Sequence, residues 1–421
     1  MAEISAVRGM KDILPGEARV RQRIEQLARQ VLERHGFREL APPILERTEL
    51  FARGIGEATD IVSKEMYTFE SRSGDSLTLR PEATAGVVRA YIEHKLHAGG
   101  GLQRLYTIGP MFRYERPQKG RYRQFWQINA EALGSEAPEV DAELICALVQ
   151  IVGGLGVEEW RLELNSLGCL KCREDFRAAL KGFLAQRRSL LCPDCRQRAE
   201  VNPLRVFDCK VEGCRHALEG APLILDYICP DCRAHFEAVQ DCLGLMKVPF
   251  VINARIVRGL DYYRRTTFEL ISTRLGAQNA FAGGGRYDGL VAELGGPDVP
   301  GIGFAIGVDR LLLLLPEEEG GPRPVFLAVL GEEARREGFR LAETLRARGL
   351  KLEWDPAGRS LRAQMRQADK AHARLVLILG ADELAQGRLT IRDMDSKEQE
   401  SAAIDADALA GELARRLGAE G

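Results

Sequence analysis

The chain has 421 residues, of which 45% are hydrophobic, and this length suffices for two or three domains with cores of their own. The formal net charge is −2, so the molecule is not a polycation, and any contact with nucleic acid must come from local clusters of Lys and Arg. The longest apolar run, five leucines at 311–315, is far shorter than the roughly 20 residues that span a bilayer. The N-terminus also lacks the apolar core of a signal peptide. We therefore expect a cytoplasmic protein with no membrane partner.

Hydrophobic periodicity predicts helices and antiparallel strands in the first part of the chain. Residues 19–35 carry apolar side chains at helical spacing, and Gly36 suits the end of that helix. The prolines at 42–43 then require an extended segment. Strands are predicted at 66–69, 77–79, 104–113 and 124–133, and helices at 139–152 and 173–187.

The later part of the chain contains regions of different composition. Residues 166–245 are rich in cysteine, and we interpret them as an insertion into a larger α/β domain. A strand pattern resumes at 264–272, and residues 316–324 form a charged linker rich in proline and glycine. Beyond it, alternating elements predict a compact α/β domain with a mainly parallel sheet: strands at 325–330, 351–354, 375–380 and 390–392, and helices at 334–348, 360–373 and 405–417.

Two basic segments are candidates for contact with nucleic acid. The loop at 113–123 holds five positive residues, one negative residue and two tyrosines, which suits phosphate binding and base stacking. In the C-terminal domain, positive residues at spacings of three or four predict a stripe on one helix face. Charge alone leaves open that both segments are solvated surfaces. The members of the stripe are Arg359, Arg362, Arg366, Lys370 and Arg374.

The segment at 258–263 places an arginine, an acid and two tyrosines among apolar residues. Such groups need partners when they are buried, so the segment either binds a polar small molecule or belongs to a polar network in the core. Glycine-rich segments at 282–289 and 301–307 lack the strand–turn–helix context of a dinucleotide-binding loop. We expect these glycines to let a strand and a helix approach closely beneath a ligand.

Eight of the ten cysteines form four close pairs, three of which have the C-x₂-C spacing of zinc ligands. Eight thiolates could close two tetrahedral zinc sites, and the alternative is a set of reduced thiols without metal. The pairs are Cys169/Cys172, Cys192/Cys195, Cys209/Cys214 and Cys229/Cys232.

In their order and spacing, these motifs resemble those of bacterial histidyl-tRNA synthetases, which are class II aminoacyl-tRNA synthetases. The resemblance runs from about residue 8 to the C-terminus, and the segments RGLDYY and GGRYDGL are close to diagnostic. The matching segments are GFRELAPPILE with Pro43 (motif 1), TLRPEATAGVVRA (amino-acid-binding turn), YTIGPMFRYERPQKGRYRQFWQINAE (motif 2 and its loop), RGLDYY and AGGGRYDGL (histidine-specific motifs) and GIGFAIGVDRL (motif 3).

The resemblance implies an α+β catalytic domain at 1–320, in which helices flank an antiparallel sheet and the cysteine-rich insertion at 166–245 interrupts the domain. It implies a C-terminal α/β domain of the anticodon-binding type at 325–421. The implied activity is that of a histidine–tRNA ligase. Such an enzyme uses ATP with Mg²⁺ to convert L-histidine to histidyl-adenylate and pyrophosphate, and then transfers histidine to the 3′ end of its tRNA. A homodimer formed through motif 1 is also implied.

The resemblance also assigns roles to single residues. Fixed guanidinium groups would neutralise the charge that develops when a carboxylate attacks the α-phosphate, and an acid paired with a tyrosine would select imidazole by hydrogen bonds. The implied residues are Arg258, Arg113 and Gln127 for catalysis; Glu82, Ala83, Thr84, Gln127, Glu131, Arg258, Tyr262 and Tyr263 for histidine; Arg113, Glu115 and Arg310 for ATP; and Arg116, Gln118 and Arg123 for tRNA.

One alternative is a non-catalytic relative, the synthetase-like regulatory subunit of ATP phosphoribosyltransferase. Such subunits typically lack the C-terminal domain and have lost arginines of the ATP site, whereas Arg113, Arg258 and Arg310 are all present here. Two positions depart from the family pattern, because Ala83 stands where many relatives have glycine and Met10 stands where threonine is common. The paired cysteines are absent from many bacterial relatives, so the resemblance does not decide whether metal is bound.

Overall fold

The computed structural model describes residues 4–56, 59–257, 260, 262–276, 279–316 and 323–418. The chain divides into two compact units, Met1–Pro316 and Glu317–Gly421. None of the helices in the described ranges is both long enough and apolar enough to cross a membrane.

Eleven strands and ten helices make up the described part of the first unit. The strands are β1 (Arg38–Glu39), β2 (Leu45–Arg47), β3 (Tyr67–Glu70), β4 (Ser76–Leu79), β5 (Gln103–Phe112), β6 (Gln124–Leu133), β7 (Arg161–Ser166), β8 (Phe250–Ile252), β9 (Arg264–Ile271), β10 (Ala280–Arg286) and β11 (Gly301–Gly307). The helices are α1 (Pro15–Arg34), α2 (Thr48–Ile55), α3 (Thr84–Glu93), α4 (Pro138–Gly154), α5 (Leu170–Gln186), α6 (Pro193–Val201), α7 (Glu212–Ala217), α8 (Pro230–Leu245), α9 (Leu290–Glu293) and α10 (Val308–Leu311).

The first unit is built on an eight-stranded sheet with the order β1-β5-β6-β11-β10-β9-β7-β8. Its five inner pairings are antiparallel, and only the edge strands β1 and β8 pair in parallel. The strands β2, β4 and β3 form a separate small antiparallel sheet. The predicted antiparallel sheet flanked by helices is therefore confirmed.

Helices α1 and α4 cover the large sheet because each has a continuous apolar face. Ile24, Ala28 and Val31 of α1 are buried at helical spacing and join the main core. Gly36 follows this helix with φ +77°, a conformation that suits glycine at a helix end. The predicted long helix is present, and the strands predicted at 104–113 and 124–133 form the antiparallel hairpin β5–β6.

The glycine-rich segments depart from the prediction of a close approach between a strand and a helix. Residues 282–286 of the first segment belong to β10, the second segment is β11, and these two strands pair in the middle of the large sheet. Glycine has a low β-propensity, so its presence does not signal a strand from sequence alone. Along its other edge, β11 pairs with β6, and β11 is therefore part of the candidate site.

The cysteine-rich insertion lies between β7 and β8 and is helical. Helices α5 to α7 and the start of α8 surround a small core of their own that includes several cysteines. The later part of α8 packs against α4, and its Phe236, Val239 and Leu243 belong to the main core. The insertion is therefore attached to the rest of the first unit through α8.

A buried ion pair fixes the end of β10 to α4. Arg286 and Asp141 are both fully buried, with the Arg286 Nε 2.9 Å from the Asp141 Oδ1. Arg286 also donates to Asp288 at 2.9 Å and to the Ser135 carbonyl at 2.8 Å. Burial raises the pKa of Asp141 to about 6, although the Arg286 charge opposes that shift. His235 of α8 lies 3.6 Å from the same carboxylate.

We expect Arg286→Met to destabilise the first unit by about 3 kcal/mol, because Asp141 would remain buried without its main counter-charge. Urea unfolding followed by circular dichroism would measure the loss. Arg53→Met is the matched control, since Arg53 is exposed and pairs with Glu49 across the surface of α2. An equal and small effect of both substitutions would contradict a stabilising role for the buried pair.

The second unit is a five-stranded sheet with four helices among its described residues. The strands are β12 (Val325–Val329), β13 (Leu352–Trp354), β14 (Leu375–Leu379), β15 (Arg388–Asp393) and β16 (Gln399–Ala403), and the helices are α11 (Glu332–Ala347), α12 (Leu361–Lys370), α13 (Ala381–Ala385) and α14 (Ala406–Gly418). The order is β13-β12-β14-β15-β16. The first three strands are parallel and the last two pairings are antiparallel, so the sheet is mixed rather than mainly parallel. Strand β16 was not predicted, because it is polar and largely exposed.

Candidate active site

A buried glutamate lies at the centre of the candidate amino-acid pocket. Glu131 on β6 is 1% exposed. Its Oε1 accepts a hydrogen bond from the Thr84 hydroxyl at 2.7 Å, and its Oε2 accepts one from the Tyr287 hydroxyl at 2.6 Å. Burial raises the pKa of Glu131 to about 8, and the two hydrogen bonds counteract part of that shift. A buried carboxyl group held by hydroxyl donors is suited to hydrogen bonding with a polar ligand.

The neighbouring strand leaves room for this glutamate only because it carries glycine there. Gly303 on β11 pairs with Glu131. A Cβ atom at residue 303 would lie 1.7 Å from the Glu131 Oε2, so any other residue would displace the carboxylate. The glycine-rich strand thus sets the position of the acid.

A second buried acid lies at the start of α3. Glu82 is buried and accepts the backbone N–H groups of Thr84 and Ala85, both at 2.8 Å, at the start of α3. Burial raises the pKa of Glu82, while these bonds and the Arg113 charge oppose the rise. Ala83 is also buried, at 1% exposure. The residues at 82–84 therefore lie together and buried, with Thr84 in direct contact with Glu131.

Three tyrosines form the aromatic side of the pocket. The Tyr262 ring centroid lies 4.8 Å from that of Tyr263 and 5.8 Å from that of Tyr287. All three rings are less than a tenth exposed. Tyr287 was not among the predicted site residues, although the AGGGRYDGL segment that contains it was recognised as a motif. Its direct hydrogen bond to Glu131 adds Tyr287 to the candidate site.

Gln127 presents an unsatisfied polar atom in the same region. Gln127, Asn129 and Glu131 point to the same face of β6, since side chains alternate along a strand. Within the described ranges, the buried Gln127 Oε1 and the Asn129 Nδ2 have no hydrogen-bond partner. Buried polar atoms are rarely left unpaired in folded proteins. A ligand with both donors and acceptors would satisfy this face.

The loop between β5 and β6 carries a cluster of arginines around one acid. The Arg113 Nε donates to the Pro81 carbonyl at 2.8 Å, and its Nη1 lies 3.9 Å from the Glu115 Oε1. Glu115 also forms an ion pair with Arg121. Burial and the Arg121 charge lower the pKa of Arg310, while Glu115 and Glu269 oppose that shift. The predicted ATP residues thus lie near one another, and Arg121 is an unpredicted member of the group.

The predicted tRNA residues at the end of the loop differ in their surroundings. Arg116 and Gln118 are exposed near the tight turn at 118–121. Arg123 instead stacks on the Tyr114 ring at 3.8 Å and donates to the Arg8 carbonyl at 3.3 Å. This arginine therefore holds the loop against the N-terminal segment. Arg258, to which a catalytic role was assigned, lies outside the described residues.

The pKa of Glu131 predicts a pH-dependent effect on stability. An unfolded glutamate titrates near about 4.3, whereas the folded value is about 8. The stabilising contribution of the neutral form is therefore complete below about pH 4.3 and is lost as pH rises through about 8. We expect Glu131→Gln to raise the melting temperature relative to the native protein more at pH 8 than at pH 5, as calorimetry would show. Glu139→Gln, at an exposed site, is the control, and a pH-independent shift for Glu131→Gln would contradict the raised pKa.

The C-terminal unit presents part of the predicted basic stripe. Arg362, Arg366 and Lys370 are exposed at spacings of four on α12. Arg374 does not belong to this face. It follows the helix, is largely buried and pairs with Asp393 and Asp395. Arg359 precedes the helix and is also exposed, with its Nε 3.5 Å from Asp355, so the positive row on α12 itself consists of Arg362, Arg366 and Lys370.

The chain matches known families along most of its length. Residues 9–181 and 197–311 match the family model described as histidyl-tRNA synthetase, and residues 324–415 match an anticodon binding domain. A histidine–tRNA ligase from Desulfatibacillum aliphaticivorans is 55% identical over 405 residues, covering 96% of this chain and 97% of that protein. A histidine–tRNA ligase from Nitratidesulfovibrio vulgaris (strain DP4) is 54% identical over 415 residues, covering 98% and 99%.

Solved structures show the same relationship. The apo histidyl-tRNA synthetase of S. aureus superposes with a TM-score of 0.80 at 34% identity, covering 97% of this chain and 99% of that one. An ATP phosphoribosyltransferase regulatory subunit/histidyl-tRNA synthetase from Bacillus halodurans C has a TM-score of 0.66 at 19% identity, covering 90% and 98%, which shows the shared fold alone. The comparisons favour the synthetase over the regulatory subunit. The chain belongs to the histidyl-tRNA synthetase family.

Proposed function

We propose that this protein uses ATP to activate L-histidine and then joins it to the 3′ end of histidine tRNA. One observation carries the proposal. The β5–β6 hairpin holds Glu131, which can bind imidazole, and its loop holds Arg113, which can bind a phosphate. The β5–β6 hairpin would therefore position both histidine and ATP, the two substrates of the first reaction.

In the proposed first step, the histidine carboxylate attacks the α-phosphate of ATP and pyrophosphate leaves. Arg113 would contact the α-phosphate and Arg310 the γ-phosphate, so that fixed positive charges offset the repulsion between two anions. Both guanidinium groups already donate to backbone carbonyls, of Pro81 and Ala280, which limits their movement. Mg²⁺ would arrive with ATP as part of the substrate.

The pocket would recognise histidine through both ends of the amino acid. Glu82 supplies a negative charge for the α-ammonium group, and the unpartnered Gln127 Oε1 supplies an acceptor. At the far end, a ring N–H of imidazole would donate to Glu131, in exchange for the bond from Thr84. Tyr287 would keep its own hydrogen bond to Glu131, and Tyr263 would lie beside the imidazole ring. A hydrogen-bonded ring site of this kind can reject other amino acids without editing.

The tRNA would contact the protein through its two basic surfaces. Arg116 and Gln118 would meet the acceptor end, with Arg123 holding the loop in place, and the exposed row on α12 would meet the anticodon region.

We also propose a homodimer formed through the segment around Pro43, which light scattering would detect. Zinc is proposed for the cysteine-rich insertion.

Aminoacylation of purified histidine tRNA with labelled histidine tests the complete proposal. The protein should charge this tRNA and should leave other tRNAs uncharged. Transcripts whose 3′ end has been oxidised with periodate provide the control, because they lack the acceptor hydroxyl. Intact protein that fails to charge histidine tRNA would contradict the proposed function.

A further inference from the structure

We propose that the insertion binds two zinc ions, each in a site made of four cysteines. The sites combine cysteines that are distant in sequence. The structure brings Cys169 and Cys172 together with Cys229 and Cys232, and it brings Cys192 and Cys195 together with Cys209 and Cys214. The first set joins the two ends of the insertion and the second set lies within it, so the sites are nested.

The sulfur positions match the geometry of a single tetrahedral ion. Within each set, all four Sγ atoms lie within 4.8 Å of one another. The Sγ atoms of Cys169 and Cys172 are 3.5 Å apart, and those of Cys192 and Cys209 are 4.0 Å apart. Zinc with Zn–S bonds of about 2.3 Å places its tetrahedral ligands roughly 3.8 Å apart. The observed spacing is thus that of ligands around one zinc ion.

Helix termini and backbone amides provide an independent argument that these cysteines bind metal. Cys169, Cys192 and Cys229 each precede the first residue of a helix, namely α5, α6 and α8. The positive end of a helix favours the thiolate form, which is the form that binds metal. Backbone N–H groups also donate to sulfur, from Cys229 to the Cys172 Sγ at 3.1 Å and from Cys192 to the Cys214 Sγ at 3.2 Å. Such outer hydrogen bonds orient the ligands of a metal.

Other uses of these cysteines fit the geometry less well. All ten cysteines are free thiols, and a sulfur separation of 3.5 Å is far longer than a disulfide bond of about 2.05 Å. In an iron–sulfur cluster the four cysteines are divided among two or more iron atoms, so at least some of their sulfurs lie farther apart than around a single ion. Closed sites with four sulfur ligands and no open position are typical of structural zinc.

The composition of the insertion explains why metal would be needed. Its core contains sixteen buried residues, of which five are cysteines. So small a core contributes little stability by itself. Metal binding contributes directly to folding when the ligands come together only in the folded state. The first site would hold the two ends of the insertion together, beside the strand β7 from which the insertion leaves the sheet.

Metal analysis of the full-length protein, purified under reducing conditions, tests the proposal. We expect two zinc ions per chain. Cys172→Ala should retain one, because it disrupts only the first set, and Cys195→Ala should likewise retain one. Cys146→Ala is the matched control and should retain two, since Cys146 lies outside both sets and packs in the main core. Native protein without bound zinc, or loss of both ions on replacing Cys146, would overturn the proposal.

If a cysteine variant does not fold, X-ray absorption spectroscopy of the native protein at the zinc edge provides a second test. The native protein should show four sulfur neighbours at about 2.3 Å and no nitrogen or oxygen neighbour. Nitrogen or oxygen ligands in the first shell would overturn the assignment to cysteine tetrads. Bound iron in place of zinc would overturn the choice of metal.

Discussion

Glu131→Ala will lower kcat/KM for histidine in the activation reaction by about 10⁴-fold, because the ring N–H of the substrate would lose its acceptor in a dry pocket. The native glutamate is 1% exposed and is held by Thr84 and Tyr287. The substitution would leave both hydroxyl groups without that partner as well. Steady-state pyrophosphate exchange at several histidine concentrations would measure the effect.

A substrate analogue separates lost recognition from general damage at Glu131. Thiazolylalanine has a ring of similar shape but no ring N–H. The native protein should discriminate strongly against it, whereas Glu131→Ala should use histidine and the analogue with similar efficiency. Glu139→Ala, at an exposed position on α4, should behave as the native protein. Strong discrimination that persists in Glu131→Ala would contradict the assigned role.

Arg113→Ala will lower kcat/KM for ATP by about 10³-fold, because one fixed donor to the developing charge would be removed. The Arg113 side chain is half-buried, and its Nε bond to the Pro81 carbonyl holds it near Glu115. A preformed guanidinium needs little reorganisation during the reaction, which makes its loss costly. Pyrophosphate exchange at saturating histidine and varied ATP would measure the change.

Arg47→Ala is the matched control for Arg113→Ala. Its side chain is 76% exposed on β2 and approaches Asp75 at 3.9 Å, so exchange should be unchanged. Arg113→Lys should recover only part of the activity, since lysine keeps the charge but not the planar pair of donors. Native-like exchange by Arg113→Ala would remove this residue from the phosphate site.

Much of the fold could be predicted because its elements have strong local patterns. Helix α1 and the β5–β6 hairpin show clear periodicity, and the structure places them within one or two residues of the predicted bounds at most ends. The glycine-rich strands β10 and β11 could not be predicted, since their pairing depends on neighbouring strands rather than on local propensity. Strand β16 was missed for a related reason, because an exposed edge strand needs no apolar pattern.

Residues of the candidate site could be predicted where they belong to a recognisable sequence motif, but the contacts between those residues could not. Glu131 and Thr84 were both expected to bind histidine, but nothing in the sequence showed the hydrogen bond that joins them across 47 residues. Tyr287 was missed because nothing in its local sequence shows that its hydroxyl group reaches Glu131 on β6. Arg121 was missed because its ion pair with Glu115 depends on the turn of the loop. In each case, contacts between distant residues decide the role.

The grouping of the cysteines could also be predicted only in part from the sequence. Spacing identifies close pairs such as Cys169 and Cys172, which lie within one helical turn at the start of α5. It cannot show which pairs share a site. The partners of that pair are Cys229 and Cys232, after an insertion of several helices has folded back on itself.

Histidine-dependent exchange of labelled pyrophosphate into ATP, without tRNA, tests the central claim most directly. The intact protein should support rapid exchange with histidine and none above background with other amino acids. Arg258→Ala should nearly abolish the exchange if that residue contacts the reacting carboxylate and α-phosphate. Folded, full-length protein that gives no exchange with histidine and Mg²⁺ would contradict the proposal that this pocket activates histidine.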